Sequence, residues 1–186
     1  MPEAIEILKA EHRVFRRFLD LFELELAAFE AGRSPRYELL EMLLDYFTSF
    51  PDEWHHRKED LIYDVLVTRS DLARPALDDL RADHERLAAG ARQFGEHISE
   101  LRQGSDLPME VIVETGAVYT RLLRRHMVKE DNVFFPMAER QLTLEDWRDV
   151  EYAIQASCED PDLRTRLDRI DSVARAIEAI MLNEGA

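Results

Sequence analysis

Residues 55–60 read HHRKED, and residues 126–131 read HMVKED. Each stretch sets a glutamate four residues after a histidine, Glu59 after His55 and Glu130 after His126. At the α-helical period, positions i and i+4 share one face a turn apart, as two ligands of one ion must. Both stretches also continue an apolar helical stripe. Leu40, Leu44 and Phe47 precede the first and Ile62 and Leu66 follow it. Ile112, Tyr119 and Leu122 precede the second, and Val133 and Met137 follow it. The polar pairs therefore stand where each helix turns toward a core.

Two further runs show the same design. Residues 3–30 carry Ile5, Leu8, His12, Phe15, Leu19, Phe22, Leu26 and Phe29 at alternating steps of three and four, the spacing of a helical seam. Residues 75–101 repeat it with Leu77, Leu80, His84, Leu87, Ala91, Phe94, Ile98 and Leu101. The run holding His55 extends over residues 36–68, with Ser34 as N-cap and Pro35 at the first helical position. Pro51 breaks or kinks it one turn before the histidine. The run holding His126 extends over residues 108–140. Short connections make successive helices antiparallel neighbours. The expected fold is all-α: an antiparallel up-down-up-down four-helix bundle over residues 1–140, with two additional C-terminal helices over residues 141–186. Thr143 with Asp146 marks the start of the first of these, which carries Leu144, Trp147 and Ile154 on one side. Asp160-Pro161 opens the second, with Leu163, Leu167, Ile170, Ile177 and Ile180 as its stripe. Those stripes need cover, either by packing or by a homodimer through the C-terminal helices.

Composition narrows the function. The chain has 186 residues, 46% of them apolar and 34% charged, with 6 Gly and 7 Pro, which suits long helices around one core. A net charge of −15 repels nucleic acid and anionic membrane surfaces alike. The single cysteine, Cys158, rules out an internal disulfide, a cysteine-ligated zinc site and an iron–sulfur cluster. The first residues, MPEAIEILKAEHR, contain no apolar export segment, and no apolar run approaches the ~20 residues that span a bilayer. The expected location is cytoplasmic.

The four seam histidines agree in height. His12 and His84 each lie about nine residues from the start of their helix, and His55 and His126 about thirteen or fourteen from the end of theirs. In an up-down-up-down arrangement those ends share one side, so the histidines fall in one layer within ~8 Å. Four inward imidazoles and two inward carboxylates in an apolar core are very costly without a cation. A bound metal pair accounts for all of them. His56 lies about 100° around the helix from His55, with Glu59 at i+3. Glu59 between two ions would give one of them His12 and His55 and the other His56, His84 and His126, with Glu59 and Glu130 shared; the alternative reading makes His56 a partly exposed neighbour of a ligand. Uneven ligation leaves a position for a small molecule. The donor mix suits iron, and manganese and zinc accept it as well. His97 reads as a surface or packing residue beside the third seam, and Tyr119 as core or pocket lining.

These motifs resemble a known family. AEH ending at His12, HHRKED from His55, DHERL around His84 and HMVKEDNVFFP from His126 are similar to the hemerythrin-like HHE cation-binding domain, over about residues 3–140. The resemblance implies a four-helix bundle with a carboxylate-bridged di-iron centre. It also implies dioxygen, nitric oxide or iron-status chemistry at an open position. The hemerythrins proper carry a second histidine four residues after the one in the third helix, where this chain has Ala88. Their last carboxylate comes five residues after the fourth-helix histidine, the place of Asp131 here. These departures bear on oxygen carriage more than on metal binding.

Three functions fit the residues: a protein that binds or senses O2, NO or iron, a di-iron enzyme such as an oxidase, peroxidase or iron-donating repair protein, and a purely structural metal site. The lack of organic-substrate residues beyond the metal-type donors favours the first, and enzymatic activity stays open.

Overall fold

In α1 (Glu3–Glu30), the eight seam residues from Ile5 to Phe29 are all buried. The helix has no internal Gly or Pro to break it. It stops at Gly32, whose φ of 65° is the left-handed conformation that glycine adopts without strain. The Gly32 amide donates to the Phe29 carbonyl and the Arg33 amide to the Ala28 carbonyl, both at 2.9 Å, closing a Schellman motif. Gly104 (φ 81°) ends the helix Arg74–Arg102 in the same way, with Gly104 donating to Leu101 and Ser105 to Glu100.

The computed structural model describes residues 1–70 and 74–184, apart from the side chains of residues 76, 77, 183 and 184. Leu77 of the expected third seam thus lies outside the described side chains. The elements after α1 are α2 (Tyr37–Phe50), a π-helical turn (Pro51–His55), α3 (His56–Arg69), α4 (Arg74–Arg102), α5 (Met109–Lys129), a second π-helical turn (Glu130–Phe134), α6 (Phe135–Gln141), α7 (Leu144–Ser157) and α8 (Pro161–Glu184). All regular structure among the described residues is helical. No described helix is long and apolar enough to cross a membrane.

α1 packs on α2 and α5, and α4 packs on the same two helices. α7 lies against α3 and α1, and α8 lies along α2 and the first π turn. α7 is fixed by a capping box: the Asp146 amide donates to Thr143 Oγ1 at 3.2 Å and the Thr143 amide to Asp146 Oδ2 at 2.8 Å. Asp146 also accepts from Arg69 of α3 at 2.6 Å.

Each π turn sits beside a proline. Pro51 and Pro136 lack the amide that would close an α-helical bond, and the backbone rearranges locally by widening one turn. The His56 amide reaches back five residues to Pro51, and the Phe135 amide five residues to Glu130. This extra residue corrects the sequence reading in α5–α6. Val133, expected inward, is 47% exposed, and Phe134 is buried in its place. Leu123 likewise turns further inward than Leu122. Leu144, expected against the core with Trp147, is 80% exposed at the first turn of α7.

The apolar core forms two clusters. One holds Phe15, Leu19, Phe22, Phe47, Phe50, Leu87, Phe94, Leu123 and Met127 with their neighbours. The other holds Ile5, Leu8, Ile62, Leu66, Leu80, Phe134, Phe135 and Ala138. On every strand of helix the changeover falls at the polar residues: His12 between Leu8 and Phe15, Glu59 before Ile62, His84 between Leu80 and Leu87, and Glu130 between Met127 and Phe134.

Candidate metal centre

Between the clusters, five imidazoles and two carboxylates converge. Ring centroids lie 5.0 Å apart for His12 and His55, 3.7 Å for His56 and His84, and 4.6 Å for His84 and His126. Two groups of donors are each compact enough to hold an ion: His12, His55, Glu59 and Glu130, and separately His56, His84 and His126, with the donor atoms of each group within 4.8 Å of one another.

The two glutamates face both groups. Glu59 Oε1 lies 3.3 Å from His55 Nε2, while its Oε2 lies 3.5 Å from His84 Nε2. Glu130 Oε2 lies 3.1 Å from His12 Nε2, while its Oε1 lies 2.7 Å from His126 Nε2 and 3.7 Å from His84 Nε2. These contacts are close without hydrogen-bond direction. Both oxygens of Glu59, both of Glu130, and the Nε2 atoms of His84 and His126 are buried with no hydrogen-bond partner. Buried polar atoms are very rarely left this way, and a positive ion among them would satisfy all six together. The donor set fits a pair of divalent or trivalent cations with imidazole and carboxylate affinity.

A family model described as the hemerythrin HHE cation-binding domain matches residues 3–138. The chain belongs to this family. Searches of curated proteins and of solved structures return no match to it. In this HHE domain, the outer nitrogens of three of the histidines are also accounted for. His12 Nδ1 lies 3.0 Å from Asp131 Oδ1, His55 Nδ1 2.8 Å from Glu11 Oε2, and His56 Nδ1 3.2 Å from Asp52 Oδ1. An ionised carboxylate only accepts, so each of these Nδ1 atoms carries a proton, and Nε2 presents a lone pair whenever the ring is neutral. His126 Nδ1 faces Asp83 Oδ2 at 3.9 Å, too long for a hydrogen bond.

Asp131, the residue at the hemerythrins' last carboxylate position, thus holds the back of His12, with Arg16 donating to its other oxygen. The second π turn starts at Glu130, and the two adjacent acids reach the two nitrogens of one ring.

Without a cation, protons take up the charge. Burial disfavours the imidazolium of His55, but Glu59 and Glu11 outweigh it and push its pKa up to about 10. His12 is raised against burial by Asp131 and Glu130, and His84 by Glu130 and Glu59. Glu130 is held well below the usual carboxylate range, since His126, His12 and His84 outweigh the effect of burial. His56 differs: burial lowers it despite Asp52, leaving a neutral ring.

Two of the outer carboxylates, Glu11 and Asp83, escaped the sequence reading. Their only signal is an acid directly before a histidine, Glu11 before His12 and Asp83 before His84, and each faces the histidine of a different helix. His97, read as peripheral, is half-buried on α4 away from the layer, with Nδ1 buried and unpartnered.

A cavity of about 60 Å³ opens beside the rings, lined also by Phe15, Phe47, Leu87, Ala88, Tyr119 and Leu123.

Proposed function

We propose that this HHE domain holds a carboxylate-bridged pair of iron ions and binds a small diatomic ligand, O2 or NO, beside them. The ring of contacts from α1 to α2, α4, α5 and back to α1 supports an antiparallel up-down-up-down four-helix bundle as its scaffold. One ion is assigned to His12 and His55, the other to His56, His84 and His126, with Glu59 and Glu130 bridging. The observation that carries this reading is that each glutamate points one unpartnered, buried oxygen at each histidine group. Iron in this setting supplies reversible one-electron chemistry and an exchangeable coordination position.

The chain's own residues do the rest. Asp131, Glu11 and Asp52 fix histidine tautomers so that Nε2 atoms face inward. Phe15, Phe47, Leu87 and Leu123 keep bulk water off the centre and give a neutral diatomic an apolar place to sit. Ala88 lines that cavity, so the position where hemerythrins proper place a histidine here leaves room. At about 60 Å³ the space is far below the ~300–1,000 Å³ of organic-ligand pockets, which favours binding or sensing over oxidation of an organic substrate. We place the domain in the cytoplasm, where a lone cysteine such as Cys158 stays reduced. A homodimer through α8 would cover its remaining exposed side.

The test is metal analysis of the purified protein followed by optical spectra of the ferrous form under N2, O2 and NO. Two irons per chain with a reversible spectral change support the proposal. Continuous O2 consumption would move the assignment to an oxidase, and absence of bound metal would overturn it.

A further inference from the structure

The two histidine–glutamate stretches share more than their metal-type donors. Both read His-x-x-Lys-Glu, with Lys58 three residues after His55 and Lys129 three after His126. Each lysine binds the carboxylate behind its own histidine. Lys58 Nζ donates to Glu11, the acceptor of His55 Nδ1. Lys129 Nζ donates at 2.6 Å to Asp83, which faces His126 Nδ1. The device therefore occurs twice, once per histidine group: acid before a histidine on one helix, histidine and lysine on the next.

The two copies differ in strength. Lys58 is 1% exposed and lies over the rings of Trp54 at 4.7 Å and Phe50 at 5.8 Å. Its charge acts on Glu11 with little screening. Lys129 is partly exposed, divides its donation between Asp83 and Asp79, and sits behind a carboxylate that makes no hydrogen bond to His126. A buried ion pair rarely stabilises a core more than apolar packing would, so Lys58 is poorly explained by stability alone.

We propose that Lys58 is a positioning residue that sets the donor strength of His55 by partly neutralising Glu11, so that the two metal sites differ in redox behaviour. This rests on the di-metal reading above. A hydrogen bond from Nδ1 to an ionised carboxylate makes the imidazole a stronger donor, which favours the higher oxidation state of the ion it holds. Lys58 draws charge from that carboxylate and moderates the effect. Lys129, partly exposed and behind a longer contact, has little such influence.

The experiment uses the iron-loaded full chain at one pH well above the carboxylate range. Lys58→Met should lower the midpoint potential of one iron, and Glu11→Gln should raise it. Each shift should amount to at least tenfold in the ratio of ferric to ferrous affinity, 59 mV for one electron. Lys58→Arg should restore the wild-type value, and Lys129→Met should change it less than Lys58→Met does. A merely structural role for Lys58 predicts instead that Lys58→Met and Glu11→Gln both lower the melting temperature and leave the potential where it was. Shifts of the same sign, or below tenfold, overturn the inference. Where a single variant does not fold, the Glu11→Gln/Lys58→Met double variant, which removes both charges together, carries the test: a raised potential supports the inference and an unchanged one overturns it. A wild-type chain that takes up no iron pair overturns the proposed function and this inference with it. Normal loading with unaltered potentials overturns only the inference.

Discussion

Nε2 of His12 and Nε2 of His55, on two buried rings, lie 3.2 Å apart. Each ring donates from Nδ1, His12 to Asp131 and His55 to Glu11, so with both rings neutral two lone pairs would face each other. Two donors ~2.1 Å from a shared ion at right angles would be about 3 Å apart, close to the observed separation. Protonation or a metal must resolve the opposition, and the pattern of unpartnered carboxylate oxygens around it points to a metal.

Removing the metal should therefore destabilise the fold. The donors left behind are buried among Phe15, Phe135, Leu8 and Ile62, and unpaired buried charge costs about 3–5 kcal/mol. For a chain of this size that is roughly 10 °C in melting temperature. Calorimetry of chelated and metal-loaded protein checks this, and equal transitions would mean that the ions do not sit in the core.

The metal-free fold should also weaken as the solution becomes alkaline. The His55 pKa is raised by Glu59 and Glu11 against burial, to about 10, from an unfolded value of ~6.5. A raised value contributes stability that is fully present below ~6.5 and is lost as pH climbs toward 10. His12 and His84 shift in the same direction. Metal must displace these protons, so affinity rises with pH over the same window and binding releases protons. Titration calorimetry in buffers of different ionisation enthalpy reads the proton count, and a count of zero would contradict the geometry.

Substitutions should sort by position relative to the layer. Glu59→Ala removes an oxygen from each histidine group and should abolish most metal binding. Asp131→Asn leaves every inward donor in place but loosens His12, and should lower affinity by about 10–100-fold. His97→Ala, outside the layer, should retain full metal content. Metal analysis of the three variants checks the order, and a His97 variant as depleted as Glu59→Ala would show that the inward faces are wrong.

The seams could be read because each core position is apolar and its helical period is uninterrupted, as along α1 from Ile5 to Phe29. The histidines stood out as breaks in that period. The exchange of Val133 for Phe134 could not be read, since it follows from a backbone hydrogen bond reaching five residues back at Glu130 rather than four. Glu11, Asp83 and Lys58 were hidden for another reason. Each acts on a partner from a distant part of the chain, and only the juxtaposition of helices brings Glu11 to His55 across 44 residues. Leu144 looked like core because its spacing fits Trp147, but the capping box at Thr143 turns the first residue of α7 outward.

His56 offers the sharpest test of the assignment. Its ring stacks on His84 with centroids 3.7 Å apart and planes 18° from parallel, and its Nδ1 is engaged by Asp52. The other nitrogen is thereby left free within the compact group formed with His84 and His126. Burial keeps the ring neutral, the form that binds a metal. The third helix has Ala88 where a further histidine would stand, so the ion proposed at His84 and His126 would have no other nitrogen donor to draw on. His56→Ala should therefore weaken the ion assigned to His84 and His126 and spare the one assigned to His12 and His55. Metal content should fall from about two per chain toward one. A variant that still holds two ions at full occupancy would sink the assignment of His56, and one that holds none would show that the two ions bind only as a unit.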